Sequence, residues 1–177
     1  MATYQIDPQH TGAHFKVRHM MISNVKGEFT RVTGSVEFDP SKPDAARVEV
    51  VIDATSINTR EGQRDGHLKS ADFLDVEKYP EITFRSTSAV AAGNNSYEVV
   101  GELTVHGVTR PVALHVESVS QEVKDPWGFL RVGASAHTKI ERKDFGLTWN
   151  SALEAGGLLV GDDVEITIDA ELVRKAE

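Results

Sequence analysis

Apolar and polar residues alternate along most of the chain with a period of two, the pattern of β-strands that bury one face. Phe15 and Val17, for example, fall on one face of a strand, while His14 and Lys16 fall on the other. Residues typical of turns separate such stretches. The pattern predicts about eight strands, one around Phe15 and the others at 27–39, 48–52, 81–88, 97–105, 112–119, 130–140 and 164–173.

These strands predict an all-β fold in a single domain over residues 1–177. Most of the connections have hairpin length, so neighbouring strands are expected to be antiparallel. About eight antiparallel strands remove their exposed edges by closing into a barrel. Gly34, inside the long predicted strand, allows the sharp bend of a barrel corner. A β-sandwich with the same number of strands is the alternative fold.

One stretch, residues 60–84, interrupts the alternation and predicts a short helical insertion. Asn58 or Thr59 is expected to cap its first turn, and Pro80 ends any continuation. Leu68 and its neighbours offer too little apolar surface for a stable isolated helix. The insertion is therefore expected to dock on the rest of the domain, and the mouth of a barrel is the obvious place. This favours the barrel over the sandwich.

Composition and charge exclude several classes of partner. The chain carries a formal net charge of −8 and no cysteine, so neither a nucleic-acid surface nor disulfide or thiolate chemistry is predicted. The first residues lack the basic and apolar regions of a secretory signal, and no segment is long and apolar enough to span a bilayer. We expect a cytoplasmic protein that does not span a membrane, or a periplasmic or secreted one if a signal peptide was removed.

The interior of such a barrel is either filled by side chains or open to a ligand. Ala134 and Ala136 are small at inward positions where a packed core prefers Leu or Ile, which leaves room beside them. The alternative is that bulky aromatic residues fill that room from across the barrel. If a tunnel exists, its expected lining is Phe15, Val17, Met20, Met21, Val25, Phe29, Phe38, Leu68, Phe73, Phe84, Ala134, Ala136, Phe145, Trp149 and Leu158.

Motifs of catalysis and metal binding are not found. On a strand His10 and His14 share a face, but His19 lies on the other, so these three residues would not converge on a metal. The chain has no HExxH motif, no Gly-x-Ser-x-Gly elbow and no phosphate-cradling glycine loop. We therefore predict no catalytic residues, no metal site, no cofactor and no enzymatic activity.

Arg64, Asp65 and His67 form a polar cluster in the insertion. A local pair between Arg64 and Asp65 would anchor the insertion to the barrel through charge-assisted hydrogen bonds. Alternatively, Arg64 and His67, together with His19 and Arg142, lie at a pocket mouth and orient a polar head such as a phosphate.

Several ordered motifs make the chain resemble the YceI-like family. The segment 4–11 precedes the first strand, Arg64 to Leu68 matches an Arg-Asp-x-His-Leu motif, and segments 140–147 and 160–164 match further along. The resemblance covers nearly the whole chain. It implies an extended lipocalin-like antiparallel barrel, a tunnel for an isoprenoid or other long-chain amphiphile, and a homodimer.

The resulting hypothesis is non-enzymatic binding, storage or transport of a polyisoprenoid or fatty amphiphile in an elongated apolar tunnel. Two alternatives stay open. One is an enzyme that acts on an isoprenoid or lipid substrate, with His67 or His19 as the first candidates for its polar group. The other is a dimeric stress-related interaction protein whose barrel is filled.

Overall fold

The computed structural model describes all residues, 1–177. Its single α-helix, α1, spans Gly62–Lys69, and short 3₁₀ turns lie at Pro43–Ala45, Ala54–Ser56 and Arg142–Phe145. No helix is long and apolar enough to cross a membrane. The strands are β1 (Ala2–Ile6), β2 (Gly12–His19), β3 (Ser23–Phe29), β4 (Val32–Phe38), β5 (Arg47–Asp53), β6 (Ile57–Asn58), β7 (Glu81–Ala91), β8 (Tyr97–Val105), β9 (Val108–Glu117), β10 (Val123–Lys124), β11 (Phe129–Glu141) and β12 (Val160–Lys175).

Eight of these strands close into an antiparallel barrel in the order β11, β9, β8, β7, β5, β4, β1, β12. The pairing of β12 with β11 completes the circle and runs from Phe129 opposite Lys175 to Glu141 opposite Asp163. Closure leaves these strands without the unpaired edges that an open sheet would expose. The predicted antiparallel barrel is confirmed, and the sandwich alternative is wrong.

The barrel is prolonged at one end because β12 is longer than its neighbours. Its last part pairs with β1, where Leu172 faces Ile6, and its first part pairs with β2, where Ile166 faces Phe15. Strands β3 and β6 continue the wall beyond β2. The extra strands therefore extend the bore of the barrel along its axis.

The long strand predicted at 27–39 is wrong in one respect, since it is divided into β3 and β4. At the break, the Arg31 N–H donates to the Ser56 hydroxyl and the Thr30 N–H donates to the Ser56 carbonyl. The chain changes partners here, from β2 and β6 to β1 and β5. The alternation changes phase at the break, because Phe29 and Val32 both face the interior although they lie three residues apart.

Gly34, predicted to allow a bend, has a backbone conformation and surroundings that favour glycine. Its φ of +148° lies in a region that side chains disfavour. A Cβ at this position would also overlap the carbonyl oxygen of Glu49 on β5. The two strands therefore approach each other here more closely than any residue with a side chain would allow.

The interior of the barrel is lined rather than filled. Only 24 of the 177 residues are buried, and the largest fully buried side chains are Val32 and Phe145. Large inward residues such as Phe15, Phe29 and Ile168 pack against the core and remain partly accessible. Since packed interiors leave few voids larger than a water molecule, accessible surface on inward apolar residues indicates an internal space.

Candidate ligand-binding site

Two cavities lie in the bore of the barrel. The wide cavity has a volume of about 310 Å³, and 25 of its 33 lining residues are hydrophobic. The narrow cavity has a volume of about 130 Å³, and 20 of its 21 lining residues are hydrophobic. Val50, Leu114 and Ile168 line both. The two cavities are therefore neighbours, separated only by these side chains, and the wide one has the size of a small ligand pocket.

Most of the residues predicted to line a tunnel lie in the wall of the wide cavity. They come from β2, β3 and β7, from the insertion, and from the segment between β11 and β12. These residues are Phe15, Val17, Val25, Phe29, Leu68, Phe73, Phe84 and Trp149.

The small residues predicted to leave room line the narrow cavity instead. Ala134 and Ala136 lie on the inward face of β11, and Ala134 is opposite Ala170 of β12. Phe38, another predicted lining residue, borders the same space and meets the Tyr97 ring edge-on at 5.2 Å between centroids. The structure thus has two adjacent cavities where a single tunnel was predicted, and the alanines line the narrower one.

Four predicted lining residues border neither cavity. Met20, Met21 and Leu158 are exposed by 41%, 61% and 42%. Phe145 is 1% exposed and lies in the packed core. The prediction that these four residues line the tunnel is therefore wrong, because none of them borders either cavity.

Backbone conformation explains the outward methionines. Strand β2 ends at His19, and both Met20 and Met21 have positive φ, 51° and 62°, so the chain turns away from the barrel. Met21 then lies against Gly157, where a Cβ would overlap its sulfur. Positive φ at a residue with a long side chain is uncommon, and nothing in the alternating pattern signals it.

The insertion covers one end of the wide cavity, and Arg64, His67 and Leu68 of α1 face it. We call this the wide end of the barrel. The helix begins at Glu61, whose carboxylate accepts hydrogen bonds from the N–H groups of Gln63 and Arg64. The prediction of Asn58 or Thr59 as the cap is therefore wrong, because the chain makes one further turn before the helix starts.

Arg64 and Asp65 anchor the helix through a shared partner and not through each other. Arg64 donates from Nε to the Thr59 hydroxyl and from Nη2 to the Thr59 carbonyl, both at 2.8 Å. Asp65 accepts from the N–H of Thr59 at 2.9 Å and from its hydroxyl. Thr59 itself is 4% exposed. Buried polar groups need such partners, so this arrangement fixes the helix to the end of β6.

His67 belongs to a small aromatic cluster at the wide end. Its ring meets Phe73 edge-on at 5.0 Å and Trp149 edge-on at 4.7 Å between centroids. Its Nε2 lies 2.9 Å from a carboxylate oxygen of Asp72. A polar ring nitrogen thus lies at the rim of an otherwise apolar wall.

Arg142 forms hydrogen bonds to backbone carbonyls through its guanidinium. It is 3% exposed and donates to the carbonyls of Gly161, Leu147 and Trp149 at 2.7, 2.7 and 2.9 Å. Its burial lowers the pKa of the guanidinium, an effect that nearby Asp162 opposes. These hydrogen bonds tie the segment 146–161 over the wide end. The structure therefore gives Arg142 a structural role, and the guanidinium predicted for a polar head already has its partners.

Sequence analysis left out several lining residues on the later strands. Leu103, Val112, Ile140 and Ile166 all face the wide cavity. Each lies on a strand whose alternation was recognised, so the inward register of those strands is the signal that identifies them. His19, the remaining predicted polar residue, also lines the wide cavity.

A network of polar side chains closes the opposite end, which we call the narrow end. The Tyr4 hydroxyl donates to Glu122, and Arg174 binds the same carboxylate through Nε and Nη2 at 2.8 and 2.9 Å. Burial raises the pKa of Tyr4, and the hydrogen bond from Arg174 lowers that of Glu122. The Arg174 guanidinium also lies 5.7 Å from the centre of the Tyr4 ring.

Proteins of related sequence and similar architecture are known. The YceI-like domain matches residues 4–172. Protein YceI of Escherichia coli is 42% identical over 148 residues, which cover 82% of this chain and 76% of that protein.

Two solved structures have the same fold. Burkholderia cenocepacia BcnA superimposes with a TM-score of 0.82 at 24% identity, covering 96% of this chain and 99% of that one. A polyisoprenoid binding domain from Saccharophagus degradans, implicated in plant cell wall breakdown, superimposes with a TM-score of 0.70 at 17% identity over 96% of this chain and 97% of that one. These two likenesses concern the fold, and the family match over residues 4–172 with the 42% identity to YceI identifies the chain as a member of the YceI-like family.

Proposed function

We propose that the protein binds one long-chain isoprenoid-type amphiphile, without chemical conversion, and holds its tail in the bore of the barrel for storage or transport. The observation that carries this proposal is the wide cavity, where 25 of 33 lining residues are hydrophobic. Its continuation into a second apolar space extends the room available to a tail. An elongated apolar space suits a chain better than a compact ligand.

The apolar wall supplies affinity to such a ligand. Each methylene moved from water into an apolar environment contributes about 0.8 kcal/mol. Both cavities are bordered mainly by aliphatic and aromatic side chains, so affinity should increase with tail length until the bore is full. Apolar walls discriminate weakly between similar chains, and selectivity must therefore depend on the polar end.

The polar end of the ligand belongs at the wide end. His19, His67 and Arg18 line the wide cavity, whereas Ser135 is the only residue bordering the narrow cavity that is not hydrophobic. An amphiphile that entered head first would bury its head without hydrogen-bond partners, which is costly. The ligand therefore lies with its tail toward the narrow end and its head near His19 and His67.

The Saccharophagus domain, which is described as binding polyisoprenoids, suggests the ligand class. Its identity to this chain is 17%, so the ligand class is transferred as a hypothesis. The homodimer implied by the sequence resemblance is likewise a proposal, and light scattering of the purified protein during size-exclusion chromatography tests it.

Native mass spectrometry of the purified protein, followed by extraction into organic solvent, tests the proposal. A species of isoprenoid or acyl mass, at one copy per chain, is the expected result. A bare protein mass that persists after incubation with isoprenoid alcohols and fatty acids would contradict the proposal and favour an interaction module without a ligand.

A further inference from the structure

Two histidines and two glutamates form a cluster on the outer wall of the barrel, away from both cavities. His115 of β9 is directly opposite His137 of β11 and directly opposite Glu98 of β8. Glu117 lies two residues beyond His115 on β9, and residues two apart on a strand share a face. Three adjacent strands therefore bring these four side chains to one patch of the surface.

The carboxylate of Glu117 lies within reach of both imidazole rings. One of its oxygens is 3.5 Å from His137 Nδ1, and the other is 3.9 Å from His115 Nε2. The centres of the two imidazole rings are 4.9 Å apart. Ligand atoms around a tetrahedral Zn²⁺, with bonds of about 2.0 to 2.2 Å, are separated by about 3.3 to 3.6 Å. The two separations from Glu117 are close to this spacing, and rotation of the exposed side chains is needed to bring all three ligand atoms around one ion.

Glu98 orients the His115 ring for metal binding. Its carboxylate lies 3.4 Å from His115 Nδ1, on the side of the ring away from Glu117. A carboxylate in this position favours the proton on Nδ1, which leaves the lone pair of Nε2 free for a metal. Metal-ligating histidines usually donate their second ring N–H to such a carboxylate. Glu98 is thus a positioning residue, and it does not bind the ion itself.

The negative charge of the cluster is not already neutralised. Neither Glu98 nor Glu117 forms an ion pair with a lysine or an arginine. A tighter group, Asp7, His10 and Glu171, differs in this respect. There Arg131 Nη1 lies 2.8 Å from Asp7 and 2.6 Å from Glu171, so a guanidinium already occupies the place of a cation.

We infer that His115, His137 and Glu117 form a Zn²⁺ site on the outer wall, with a fourth position open to water. Two histidines and one glutamate are a ligand set that zinc uses in proteins. The side chains are 37%, 52% and 46% exposed, so the ion reaches them without unfolding of the barrel. The site is separate from the bore and does not depend on the proposed ligand.

Isothermal titration calorimetry of the full chain with zinc chloride, in a buffer free of chelators, tests this site. The expected result is one ion per chain with a micromolar dissociation constant. His115→Ala and His137→Ala should each weaken binding at least about a hundredfold, because each removes a ligand. Glu98→Gln should weaken it about tenfold, as other losses of an outer partner do, at an unchanged melting temperature.

Two matched controls separate this site from the other surface histidines. His14 lies 3.7 Å from Glu28 with 47% of its side chain exposed and has no second histidine beside it, so His14→Ala should bind zinc like the wild type. His10→Ala removes the histidine of the cluster that Arg131 occupies and should also bind like the wild type. No uptake by the wild type, uptake that persists in both His115→Ala and His137→Ala, or loss in either control would overturn the assignment.

Discussion

The two ends of the barrel are built in different ways. At the wide end, α1 and the segment 146–161 cover the bore, and Arg64 and Arg142 hold them through hydrogen bonds to backbone carbonyls. At the narrow end, Tyr4 of β1 and Arg174 of β12 both bind Glu122, so side chains of the barrel strands close the space. The wide end is therefore a covering laid over a barrel, whereas the narrow end is part of the barrel wall.

This difference has a functional consequence. A covering that consists of loops and one short helix is the part of a domain that opens most readily, and entry of a ligand requires such an opening. The narrow end, by contrast, loses ladder hydrogen bonds if it opens. Substitutions at the wide end should therefore change ligand binding and the stability of the covering segments. Substitutions at the narrow end should change the tail length that fits, or the stability of the fold at low pH.

The largest effect is expected from Arg142→Ala. The variant leaves several buried carbonyls without donors and removes the cation near Asp162, and breaking a buried ionic group in this way costs about 3 to 5 kcal/mol. Urea denaturation measures the loss of unfolding free energy. Lys139→Ala is the control, because its ion pair with Asp163 is exposed and should contribute little to the unfolding free energy. Similar values for both variants would contradict the structural role of Arg142.

Thr138→Trp should nearly abolish ligand binding. Thr138 lies on the inward face of β11 in the wall of the wide cavity, and an indole ring there fills the space intended for the tail. We expect affinity for a long isoprenoid alcohol to fall at least about a hundredfold, which corresponds to about 2.8 kcal/mol. Equilibrium binding to delipidated protein measures it, and an unchanged melting temperature shows that the barrel persists. If the folded variant bound with wild-type affinity, the tail could not lie in the wide cavity.

Ala136→Trp, two residues earlier on the same face of β11, should have a smaller effect that depends on tail length. Ala136 borders the narrow cavity, so the indole ring shortens the bore and leaves the wide cavity open. Affinity for long alcohols should fall about tenfold, or about 1.4 kcal/mol, and affinity for short ones should hardly change. An equal loss for short and long alcohols would show that the two cavities do not act in series.

Asp7→Asn should have the smallest effect, confined to stability near the narrow end. Asp7 accepts hydrogen bonds from His10 and Arg131, and these, led by His10, lower its pKa from 3.8 to about 2. A depressed carboxyl pKa stabilises the fold above about pH 4, and this contribution is lost as the pH falls toward about 2. The variant should therefore be less stable at neutral pH by at most about 1 kcal/mol, because solvent screens the partly exposed partners His10 and Arg131.

Urea denaturation at neutral pH and at about pH 2 checks this sign. The difference between Asp7→Asn and the wild type should disappear at the lower pH. Asp169→Asn is the control, since Asp169 forms a hydrogen bond with Ser135 and no ion pair with an arginine. A constant difference for Asp7→Asn at both pH values would show that the ionised carboxylate is not the stabilising group.

Sequence patterns predicted the parts of the molecule that repeat. Alternation gave the inward faces of β2 and β11, and with them the positions of Phe15, Val17 and Ala136, because side chains on a strand alternate wherever the strand lies. It could not reveal that Met20 and Met21 turn outward, since their positive φ depends on a turn that packs against Gly157.

Residues whose roles depend on distant backbone atoms were also beyond prediction. Arg142 binds carbonyls as far along the chain as Gly161. Its charge suggested contact with a ligand head, but its hydrogen-bond partners belong to the protein itself. The facing of His115 and His137 likewise depends on the register of β9 against β11. The cytoplasmic location stays a prediction.

A chain-length series tests whether an amphiphile lies with its tail along the bore. Delipidated wild-type protein is titrated with all-trans isoprenoid alcohols of increasing length. Affinity should increase with each added isoprene unit and reach a plateau when both cavities are filled, because each buried methylene contributes about 0.8 kcal/mol. No binding, or an affinity that does not depend on length, would contradict this placement of the tail.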